Sequence, residues 1–92
     1  MIEPEQVRAA RAMIGLSQEE LSRHTGINRR TLMNYENGVA RLKDVTVARI
    51  VEALKTAGIE FLRNDRGDVG ILLSYDALLN ARSKNRENPS NK

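Results

Sequence analysis

The chain has 92 residues, a net charge of +3 and a pI near 9.7; 40% of it is hydrophobic, with one Phe, two Tyr and no Trp. At this size it forms one small domain, and an aliphatic core suits packed helices. No Cys is present, which excludes disulfides and thiolate zinc sites, and the single histidine, His24, excludes a multi-histidine metal centre. The longest aliphatic run, Val69–Leu73, is far too short to span a bilayer, and the start of the chain is acidic where a signal peptide would be basic. These features predict a soluble cytoplasmic protein without metal or cofactor.

A first helix is expected from Pro4 to Ile14. Pro4 suits a first helical position, Val7, Ala10 and Ile14 share one face, and Gly15 supplies the stop. Ser17-Gln-Glu-Glu20 is a capping box that opens a second helix, with Leu16 and Leu21 as its hydrophobic staple; this helix closes before Gly26. Asn28 caps a third helix that runs to Glu36 and stops at Asn37-Gly38. Its pattern turns Ile27, Leu32 and Tyr35 inward and Arg29, Arg30, Met33 and Asn34 outward. A fourth helix, capped by Asp44, runs to Thr56 on a stripe of Val47, Ile50, Val51 and Leu54. Beyond Gly58 the period changes. Ile59–Arg63 and Asp68–Leu73 flank Asn64–Gly67 and predict a β-hairpin. A last helix starts at Ser74, with Asp76 in its first turn. From Ser83 onward the polar composition predicts a disordered tail.

Charge placement is more informative than net charge. Residues 23–43 carry Arg23, Arg29, Arg30, Arg41 and Lys43 against Glu36 alone. A local basic stretch is the footprint of a nucleic-acid binder, although a solvated charged face has the same composition. Two helices joined at Gly26 form a helix-turn-helix, the unit whose second helix enters the major groove.

Residues 7–59 resemble the Cro/CI-type helix-turn-helix family of phage repressors and bacterial regulators. The resemblance is carried by Arg11, Gly15-Leu-Ser-Gln-Glu-Glu-Leu21, Gly26-Ile27, Thr31-Leu32 and Tyr35-Glu-Asn-Gly38, and then by Val47, Ile50 and Leu54. It implies a mainly α, lambda-repressor-like helix-turn-helix bundle, here with a short C-terminal β-hairpin and final helix. It also implies binding to double-stranded DNA as a symmetric dimer. Family positions that meet base edges fall on Arg29, Arg30 and Asn34, with Met33 beside them. Arg reads guanine and Asn reads adenine by paired hydrogen bonds. Backbone contacts fall on Gln18, and Thr31, Asn37, Arg41 and Lys43 are candidates for the same role. The family pairs the residues at Arg11 and Glu36 in a structural salt bridge.

The expected organisation is a DNA-binding domain over 1–58, a hairpin and helix extension over 59–82, and a tail over 83–92. Ile59, Phe61, Val69, Ile71 and Leu73 alternate and form an apolar face expected to build a homodimer; the alternative is that the hairpin folds back on the fourth helix of its own chain. No nucleophile–base constellation or phosphate-binding loop occurs, so no enzymatic activity is expected. Two functional readings follow. One is a dimeric repressor. The other is an antitoxin that neutralises a toxin protein through residues 74–92 and represses its own operon. The sequence does not separate them.

Overall fold

The structure, a computed structural model, describes residues 2–86. Five helices and one hairpin follow in the order α1 (Pro4–Ile14), α2 (Gln18–Thr25), α3 (Arg29–Glu36), α4 (Asp44–Thr56), β1 (Ile59–Arg63), β2 (Val69–Leu73) and α5 (Tyr75–Arg86). The fold is the mainly helical bundle with a C-terminal hairpin that the sequence implied.

Local chemistry accounts for most boundaries. At α2 the Ser17 hydroxyl accepts from the Glu20 N–H at 3.0 Å, and the Glu20 carboxylate accepts from the Ser17 N–H at 3.0 Å. This reciprocal pair also holds the Glu20 carboxyl below its ordinary range, the Ser17 backbone N–H being the main cause. Asn28 caps α3 by accepting from Arg30 and Thr31. Between them Gly26 takes φ +73°, a left-handed value that lets the chain turn within three residues.

Two boundaries differ from expectation. Asp44 does not cap α4. Lys43 is the extended N-cap, without a side-chain cap bond, and Asp44 is the first helical residue. Leu42 packs against the core just before it, which leaves Lys43 as the last extended residue. Asp44 still favours this end through the helix dipole. The last helix also does not stop at Ser83 but continues to Arg86. No Gly or Pro intervenes before Pro89, and Ala, Lys and Arg are good helix formers, so the backbone keeps its helical bonds. The remainder of the expected tail, residues 87–92, lies outside the described residues.

The core joins all four helices of the DNA-binding half to the hairpin: Val7, Ala10, Leu21, Ile27, Leu32, Tyr35, Ile50, Leu54 and Ile59. Val51, expected in the stripe of α4, is half-buried at its edge. The strands pair antiparallel in the register Ile59↔Leu73, Phe61↔Ile71 and Arg63↔Val69, around a turn in which the Asn64 side chain accepts from the Arg66 and Asp68 N–H groups.

The face made by Ile59, Phe61, Ile71 and Leu73 packs on the core of its own chain, with β2 against α1 and β1 against α4. Ile59 is 2% exposed and Phe61, Ile71 and Leu73 are half-buried, while Val69 and its partner Arg63, near the tip, are exposed. The hairpin thus folds back on its own chain, on α4 as the alternative had it and on α1 as well. Burial of an apolar stripe against α1 and α4 competes with burial across a dimer, and the intrachain partner is always present. The opposite face carries Leu62 and Leu72, which are 40% and 55% exposed.

Candidate nucleic-acid interface

α2 and α3 meet across Gly26-Ile27-Asn28, and the turn is fastened from within. The Ser22 hydroxyl donates to the Ile27 carbonyl, and the Ile27 N–H donates to the Thr25 hydroxyl at 3.3 Å. Ile27 and Leu32 bury the inner side of the unit. The outer side of α3 then has only one direction to face, which is solvent.

The C-terminal end of α3 is anchored on α1. Glu36 is 0% exposed, a carboxylate wholly withdrawn from water. Arg11 meets it with Nε at 2.9 Å and Nη2 at 2.6 Å, and the same guanidinium donates to the Leu16 carbonyl at 3.0 Å. A two-pronged fork of this kind satisfies both oxygens and fixes direction as well as distance. Gln18 adds a long contact to Glu36 at 3.3 Å. Arg8, one turn before Arg11, donates to the Glu36 backbone carbonyl. Thus the side chain and the main chain of one residue are both held by arginines of α1. The role of Arg8 was not read from the sequence. Its three-residue spacing from Arg11 on a helix was the available signal.

This anchoring changes the charge of the surface. Glu36, the one acid between residues 23 and 43, is buried and neutralised by Arg11. Arg23, Arg29, Arg30, Arg41 and Lys43 are all exposed. Among the described residues, Arg29, Arg30, Arg41 and Lys43 enter no ion pair. The exposed side-chain charges of residues 23–43 are therefore all positive, more so than a count of charges along the sequence suggests. Such a surface attracts a polyanion and strengthens as salt is lowered.

Arg29, Arg30 and Met33 project from the exposed side of α3, with Asn34 half-buried beside them. Thr31, Asn37, Arg41 and Lys43 are exposed on the same helix and on the segment that follows it. Gln18 is half-buried and leans on Glu36, so it sits at the N-terminus of α2 under restraint rather than loose in solvent. Tyr35, next to Glu36, is buried, and among the described residues its hydroxyl has no hydrogen-bond partner. Burial pushes this phenol above its ordinary value, and Glu3, Glu36 and Glu5 add to the effect.

Among the described residues no helix is long and apolar enough to cross a membrane, and no group of three or more His, Asp or Glu is placed to hold a metal ion. The sequence profile of the helix-turn-helix family HTH_3 matches residues 7–61, more than half of the chain. No curated protein matches it.

Proposed function

The chain belongs to the Cro/CI-type helix-turn-helix family of DNA-binding regulators, and on that premise we propose that it is a sequence-specific, dimeric transcriptional repressor. One observation carries the reading: α3 presents Arg29 and Arg30 at its N-terminal end on a surface from which the local acid, Glu36, has been withdrawn by Arg11. α3 enters the major groove. Arg29, Arg30 and Asn34 meet base edges, with Met33 alongside for an apolar contact such as a thymine methyl. Gln18, Thr31, Asn37, Arg41 and Lys43 hold phosphates and set register without reading sequence.

The dimer forms through the outer face of the hairpin. Leu62 and Leu72 are exposed there, and both strands of a two-stranded sheet have an open edge. A two-fold axis through this extension brings two copies of α3 to one side of the duplex. Half-sites of such dimers lie one helical turn apart, about 34 Å.

Selection of bound fragments from a random DNA pool tests the reading. The expected result is an inverted repeat with half-sites about 10 base pairs apart. Recovery of fragments with no shared sequence would reduce the protein to a non-specific binder. Recovery of a single half-site without symmetry would remove the dimer.

A further inference from the structure

α1 holds the recognition helix on one side and the hairpin on the other. On the hairpin side the contact includes a buried amide. Gln6 is 5% exposed, although its neighbours on this stripe, Val7 and Ala10, are apolar. Its Nε2 donates to the Gly70 carbonyl of β2 at 2.8 Å and to the Leu62 carbonyl of β1 at 3.2 Å. Its Oε1 accepts from the Glu3 N–H at 2.8 Å. Close by, the Glu3 carboxylate pairs with Arg63 at the end of β1 at 2.6 Å.

Leu62 and Gly70 are partners in the strand register, so one amide grips both strands at the same rung. Burial of apolar area is itself non-directional, and hydrogen bonds from a single amide to two carbonyls add a restraint on angle. The same helix, two and five residues further on, fixes the end of α3 through Arg8 and Arg11. The direction of the recognition helix and the direction of the hairpin are therefore set by one rigid element.

We infer that Gln6 is the positioning residue that sets half-site spacing, by fixing the angle between the DNA-reading head and the dimerising hairpin. The inference rests on the dimeric reading proposed above. Shifting one half-site by one base pair moves it about 3.4 Å along the duplex and turns it about 35°. A hairpin held at one angle rejects that shift, whereas a hairpin held by apolar contact alone follows it. Gln6→Met keeps length and flexibility but neither donates to the strands nor accepts from the Glu3 N–H, a contact confined to the start of α1. The strand carbonyls at this rung still face ladder N–H groups, so no acceptor is stranded.

The experiment compares the full-length parent and Gln6→Met on three duplexes: the selected site, the same site with one base pair inserted between half-sites, and a single half-site. Sedimentation of both proteins accompanies it. The parent is expected to discriminate strongly between the two spacings. Gln6→Met is expected to remain dimeric and to bind the half-site like the parent. Its preference for the correct spacing should fall about tenfold, the value of one to two net hydrogen bonds. A dimeric Gln6→Met with unchanged spacing preference would overturn the inference and leave the dimeric repressor intact. Loss of half-site affinity with spacing preference retained would also overturn it, since Gln6 would then support only the fold of the head. A monomeric parent would overturn the dimeric reading itself and the inference with it. Should Gln6→Met fail to fold, Gln6→Leu removes the same donor with a different apolar shape. There a fall of about tenfold in spacing preference supports the inference, and an unchanged preference overturns it.

Discussion

The two sides of α1 are held by different chemistry. Toward α3 the link is charged: a buried carboxylate met by one guanidinium fork, with a second arginine on the main chain. Toward the hairpin it is neutral, an apolar stripe with one amide and an ion pair at the exposed margin. A buried charge tolerates no partial loss of its partner, because the remaining ion is stranded away from water. A neutral stripe degrades by degrees. The reading head is thus built to keep one geometry or fail, whereas the extension is held by contacts that can be weakened one at a time, with the Gln6 amide fixing its angle.

The largest effect should come from breaking the charged side. Arg11→Ala leaves Glu36 buried without its fork and should cost about 3–5 kcal/mol, measured by urea denaturation. Replacing both residues, as Arg11→Met with Glu36→Leu, should recover a large part of that loss. A loss below about 1 kcal/mol for Arg11→Ala alone would show that Glu36 is not dependent on the pair.

Next comes the entry to the extension. Gly58 has φ +98°, and a Cβ added there would lie 2.5 Å from the Ala77 Cβ and 2.8 Å from the Ser74 Oγ. Neither atom is the far end of a flexible chain. Gly58→Ala should therefore cost about 2–3 kcal/mol from backbone strain and overlap. Hydrogen exchange should show the loss concentrated in β1, β2 and α5, with α2 and α3 still protected. Equal loss of protection everywhere would show that the head and the extension unfold as one unit.

The smallest effect is electrostatic. The Glu20 carboxyl has its folded value lowered by Ser17, so it contributes stability above the ordinary carboxylate range. That contribution is lost as pH falls through the lowered folded value. Glu20→Gln should remove a few tenths of a kcal/mol near neutrality and flatten the acid limb of the stability profile. An acid limb identical in parent and variant would exclude Glu20 as its source.

These comparisons also explain what could be read in advance. α1, α2 and α3 were legible because their ends are written locally: Pro4, Gly15, Ser17 with Glu20, Gly26 and Asn28 each act on the backbone within a few residues. The outward set Arg29, Arg30 and Met33 followed from the same periodicity. The allocation of the hairpin faces was not legible. Ile59, Phe61, Ile71 and Leu73 on one side and Leu62 and Leu72 on the other are similarly apolar. Which side turns inward depends on the shape that α1 and α4 offer, a tertiary fact with no local signature. Gln6 illustrates the same limit. A glutamine beside Val7 on an apolar stripe signals a buried polar contact, but not which carbonyls it finds.

Arg30→Ala separates base reading by α3 from simple attraction to phosphates. Affinity is measured at one fixed salt concentration for the selected site, for that site with single base changes, and for random DNA. The account predicts a loss of about 1–3 kcal/mol on the selected site, relaxed preference at one base pair, and a much smaller loss on random DNA. Equal losses on selected and random DNA would contradict it and leave Arg30 as a phosphate contact.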